Sequence, residues 1–60
     1  MQVIDKVCNI LALLSDGTER TVSEIAGAVD MTLPTAHRIL TTLTSRGVLE
    51  KDMRSKRYSL

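Results

Sequence analysis

The stretch TLPTAHRILTTLTSR, from Thr32 to Arg46, reads as a helix whose two ends are both marked. Thr32 stands at the N-cap, and Pro34 falls in the first turn, where its missing N–H does no harm. Gly47 follows Arg46 as the left-handed residue that stops the helix. At about 100° per residue, Ala36, Ile39, Leu40 and Leu43 gather on one narrow face, and Pro34, Arg38, Thr41 and Ser45 gather opposite them. A helix that merely faces water usually carries Lys and Glu on its outer side. This one carries threonines around one Arg and no acidic side chain. One face specifies a core, and the other is suited to lie against something anionic.

The flanking segments supply that core. Val3, Ile4, Val7, Ile10, Leu11 and Leu14 recur at helical spacing, so residues 2–15 read as an amphipathic first helix closed by Ser15-Asp16-Gly17. On that wheel Leu13 falls on the polar side, and Cys8, at the edge of the stripe, is expected to be a small buried thiol. Thr18 to Thr21 reads as extended. Thr21-Val22-Ser23-Glu24 then has capping-box spacing and opens a second helix from Val22 to about Val29, which buries Val22, Ile25, Ala26 and Val29. Gly27 costs roughly 1 kcal/mol relative to Ala inside a helix, and marks either a close helix approach or a tolerated position. Asp30 is one of the few non-glycine residue types that enter the left-handed region at modest cost, which fits a tight turn into the third helix.

After Gly47 the periodicity changes. Val48 to Asp52 and Lys56 to Leu60 read as two short strands, with Leu49, Tyr58 and Leu60 inward and Arg57 and Ser59 outward. The fold class this order implies is mainly α with a small β-hairpin: a winged helix-turn-helix, a three-helix core plus wing, filling residues 1–60 as one domain.

Composition excludes several classes. A chain of 60 residues buries only about 60% of its unfolded surface, so one small core is all it builds. One cysteine gives no internal disulfide, one histidine and no ligand cluster give no metal site, and no paired carboxylates converge, so neither an enzyme nor a cofactor is expected. Tyr58 is the only aromatic residue, which argues against a stacking platform for single strands. No apolar run is long enough to span a bilayer and no leader pattern is present, so a cytoplasmic location without membrane partners is expected.

Charge is divided along the chain. Residues 1–30 hold two basic against five acidic side chains, a net −3, and residues 31–60 hold six basic against two acidic, a net +4. The basic half contains the polar-ridged helix and the hairpin, which is the footprint expected for duplex DNA. The third helix, residues 33–46, fits a major groove about 12 Å wide, with the wing, residues 48–60, on the backbone or minor groove. Arg38 is the natural base reader, because its planar fork gives two hydrogen bonds to guanine. Thr32, Thr35, Thr41 and Thr42 offer hydroxyls and methyls, Pro34 packs on a thymine methyl or sugar, and His37 flanks the ridge. Arg54, Lys56 and Arg57 make the hairpin basic. The competing reading is a winged-helix protein-protein interaction module, which calls for a large exposed apolar patch where this ridge is polar.

These residues carry a resemblance. The run TVSEIAGAVDMTLPTAHRILTTLTSRGVLEKD, followed by RYSL, resembles the N-terminal DNA-binding domain of the IclR family of bacterial and archaeal transcriptional regulators. The block Thr35-Ala36-His37-Arg38-Ile39-Leu40 is its most specific part. The resemblance implies a homodimer or tetramer on (pseudo)palindromic operators, with a small-molecule-sensing domain C-terminal to this one that would supply dimer contacts. Leu13 on the polar side of the first helix and the small core point to a dimer contact through residues 2–15 as well. It places Thr35 and Arg38 on the recognition helix and Arg54 to Arg57 in the wing. With the chain ending at Leu60, the sensing domain is absent, and the expectation is of an excised domain. Asp30 stands where the family usually has Gly.

Overall fold

A computed structural model describes residues 2–60. The order is α1 (Gln2–Leu14), β1 (Arg20–Thr21), α2 (Val22–Ala28), α3 (Leu33–Ser45), β2 (Glu50–Asp52) and β3 (Arg57–Ser59). The strands form one antiparallel sheet in the order β1-β3-β2. Arg20 and Lys51 both lie opposite Tyr58, and Thr21 and Asp52 both lie opposite Arg57. The segment read as extended thus becomes the third strand, and the wing is anchored to the start of α2.

The core is small. Ile10 and Leu14 of α1, Ile25 of α2, Leu40 of α3, and Leu49 and Tyr58 of the sheet region form one buried cluster. Ala26 and Ala36 are also buried, and their single methyl groups let α2 and α3 approach closely. Alternation places Tyr58 inward between two outward neighbours, as expected of a strand with one wet face.

Both helices of the helix-turn-helix end on a left-handed residue whose following N–H bonds back to the last turn, and α3 closes with the full Schellman pair of bonds. At the end of α2, Asp30 adopts φ 55° and the Met31 N–H donates to the Ala26 carbonyl at 3.0 Å. At the end of α3, Gly47 adopts φ 78°, and the Gly47 and Val48 N–H groups donate to the carbonyls of Thr44 and Leu43 at 3.1 and 2.9 Å. Asp30 therefore performs the turn that glycine would. The capping box of α2 is complete: the Glu24 N–H donates to the Thr21 hydroxyl and the Thr21 N–H to the Glu24 carboxylate.

Several side chains lie elsewhere than the sequence implied. Cys8 is exposed, not buried: it sits where α1 has turned away from the core that Ile10 and Leu14 fill. Leu13 is partly buried against the core, whereas Val3 and Ile4 are 59% and 58% exposed, because the buried stripe is centred on the C-terminal half of α1. Leu60 is exposed beyond the end of β3, and Val22 and Val29 are only partly buried. A Cβ at Gly27 would meet nothing within 4 Å, so that glycine is tolerated and marks no close approach.

Candidate nucleic-acid interface

The sequence of α3 determines how its outer face is presented. Ala36 and Leu40 are buried, Ile39 and Leu43 are half-buried, and Pro34, Thr35, His37, Arg38, Thr41, Thr42 and Ser45 are exposed. Thr32 occupies the N-cap with extended backbone, but its side chain does not cap the helix. Its hydroxyl bonds the Thr35 hydroxyl instead, at 3.0 Å, which leaves the N–H groups of the first turn open to an external acceptor. The Thr44 hydroxyl donates to the Leu40 carbonyl at 2.7 Å and the Ser45 hydroxyl to the Thr42 carbonyl at 2.8 Å. Those two side chains are folded back onto the helix. Thr41, Thr42 and Arg38 have no side-chain partner among the described residues.

Arg38 stands beside α1. It lines an open groove with Val3, Pro34, Thr35 and Ile39, so its stem rests on apolar surface while its guanidinium meets no carboxylate among the described residues. Such a side chain is held at its base and free at its head.

The wing tip is a built turn. The Lys56 N–H donates to the Asp52 carbonyl at 2.7 Å, and the Arg54 N–H donates to the Asp52 carboxylate at 2.9 Å. The bond from Arg54, with further ones from Ser55, holds the Asp52 carboxyl below its ordinary pKa of 3.8. Lys56 sits at φ 62°, a left-handed conformation that turns the chain back into β3. Arg54 and Lys56 are exposed and Arg57 is half-buried.

Arg57 does not extend from the wing as its neighbours do. Its guanidinium lies 3.3 Å from both the Glu24 carboxylate and the Glu19 carbonyl. Glu24 is held below its ordinary pKa of 4.5, first by the Thr21 N–H and then by its hydroxyl and the Arg57 charge. Ten positions were proposed from sequence as DNA contacts; α3 brings seven of them together at its start and along its outer side, and the wing carries the other three. Lys51 was overlooked. Its ammonium sits 5.4 Å from the centre of the Tyr58 ring, on the face turned toward α3, and only the register of β2 on β3 reveals this.

Among the described residues no group of His, Cys, Asp or Glu could hold a metal ion, and no helix is long and apolar enough to cross a membrane.

The interface has relatives. The chain is 36% identical over 58 residues to the HTH-type transcriptional regulator BhcR of Paracoccus denitrificans, which covers 97% of this chain and 21% of that protein. It is 38% identical over 61 residues to the glycerol operon regulatory protein of Streptomyces coelicolor, covering 100% of this chain and 24% of that protein. The chain thus spans between a fifth and a quarter of the length of these curated relatives. Both carry the names of regulators. No solved structure matches the chain significantly. The family model for the IclR helix-turn-helix domain matches residues 3–53, from α1 through both helices of the motif into the wing, and the chain belongs to that family.

Proposed function

We propose that this domain binds duplex DNA sequence-specifically, with α3 in the major groove and the wing on the backbone or in the neighbouring minor groove. The observation that carries the reading is the outer face of α3: an Arg and several Thr side chains are exposed together with no acidic side chain on the helix. Arg38 reads bases, Thr32, Pro34, Thr35, His37, Thr41 and Thr42 contact bases or backbone around it, and Arg54 and Lys56 grip phosphates. The pair with Glu24 supports a role for Arg57 in holding the wing in place, with any DNA contact secondary. Selection from a pool of randomised duplexes tests the reading. An enriched motif that weakens when Arg38 is replaced supports it, and a pool that stays random opposes it.

The parent protein is proposed to be a homodimer on a palindromic operator, acting in the cytoplasm. Its dimer contacts would come from α1 or from a sensing domain C-terminal to this one. The exposed Val3 and Ile4 of α1 favour a contact there, since neighbouring exposed apolar side chains suit an interaction surface. Enrichment of half-sites in inverted orientation tests the symmetry. An apolar α1 face also suits a winged-helix module that binds only protein; that reading leaves the acid-free, cationic face of α3 without a purpose.

A further inference from the structure

We propose that the groove between α3 and β2 is a binding site for one DNA backbone phosphate, with the Lys51 ammonium as its charged ligand. The groove is open, about 260 Å³ in volume, and lined by Thr41, Thr44 and Ser45 of α3 with Lys51 and Tyr58 of the sheet. It rests on the DNA-binding reading above. If α3 occupies a major groove and the wing meets the adjacent minor groove, the sugar-phosphate strand dividing those grooves must cross the cleft between α3 and the wing.

The residues of the cleft suit that strand. Lys51 lies opposite Tyr58 in the sheet, and its ammonium rests over the ring at 5.4 Å, within the range of a cation–π contact. This places the charge at the cleft before any ligand arrives and lowers the entropy lost on binding. Its sequence neighbours Glu50 and Asp52 are carried to the opposite face of the strand by alternation, and among the described residues Lys51 forms no ion pair. Thr41 offers a hydroxyl with no internal partner, while the hydroxyls of Thr44 and Ser45 are committed to Leu40 and Thr42 carbonyls and serve as wall. One cation and one hydroxyl donor facing each other across an open cleft match a phosphodiester, which carries a single charge and accepts hydrogen bonds from several directions.

The test is a titration of the chain and its K51Q, K51R and T41V variants against one duplex across a salt series. A phosphate ligand at Lys51 makes the salt slope of K51Q shallower by about one, so the affinity gap from wild type narrows about fourfold between roughly 50 and 200 mM salt. K51R restores the slope, and T41V weakens binding with the slope unchanged. A lysine that merely supports Tyr58 would alter affinity and melting temperature in K51Q but leave the slope alone, and that result overturns the site. Failure of the unmodified chain to bind duplex at low salt overturns the DNA reading and this site together, whereas normal binding with an unaltered slope in K51Q overturns the site alone.

Discussion

The Arg57 guanidinium reaches the Glu24 carboxylate at 3.3 Å across 33 positions of the chain. The same carboxylate oxygen accepts the Thr21 N–H at 2.9 Å, so the residue that caps α2 also fastens the last strand of the wing. Because Thr21 pairs with Arg57 in the sheet, backbone and side chain hold the wing to the helix-turn-helix at one point. An isolated surface pair contributes little; here both partners are already positioned by other bonds.

This arrangement separates Arg57 from the other wing cations. Arg54→Ala or Lys56→Ala should weaken binding to every duplex and make the salt slope shallower by about one. Arg57→Ala should weaken binding with the slope unchanged, and Glu24→Gln, which keeps the capping box, should do the same. A shallower slope in Arg57→Ala would show that its guanidinium leaves Glu24 for a phosphate.

For Arg38→Ala the expected loss is about 1 to 3 kcal/mol, concentrated on one base pair if the contact is a bidentate one to guanine. Affinities for a set of single-base operator variants measure it. Uniform weakening over the whole set would mean that Arg38 meets only backbone.

Asp30→Gly should stabilise the fold by roughly 0.5 to 1 kcal/mol, because a left-handed residue with a Cβ is strained and glycine relieves it at some entropic cost. Asp30→Ala should destabilise it, having neither the freedom of glycine nor the local bonding of Asp. Urea denaturation of the three proteins decides, and an Ala variant as stable as the Gly variant would refute the explanation.

Legibility in the sequence followed locality. The capping box, the left-handed Asp30 and Gly47 and the faces of α3 depend on neighbours within a turn or two, and each was readable. Cys8, Leu13, Val3 and Ile4 were misplaced because the width of an apolar stripe on α1 does not say where along the helix the other elements cover it. Lys51 and Arg57 required the sheet register. That register joins residues 20–21 to 57–58, and no spacing in the chain encodes it. Pattern alone made Arg57 an outward cation. Its partner, Glu24, is visible only once β1 is seen beside β3.

Acid should unfold the domain in a defined way. Asp16 is held below 3.8 by the Thr18 hydroxyl and N–H, Glu24 below 4.5 by Thr21, and Asp52 below 3.8 by the Arg54 N–H. Folding therefore favours the charged forms, and the unfolded chain binds more protons as pH drops. Stability is complete above the ordinary carboxylate range and is lost as pH falls below it through the lowered values. Denaturation midpoints over a pH series measure this, and Glu24→Gln should flatten the upper part of the decline. A midpoint that rises on acidification would contradict the assignment.

The central claim is that the face of α3 and the wing meet a polyanion. The most direct measurement is a titration of the folded domain with a random-sequence duplex at low and moderate salt. The account predicts binding at least in the micromolar range at low salt, falling steeply as salt is added. A folded domain that shows no binding at low salt, or binding indifferent to salt, would contradict it.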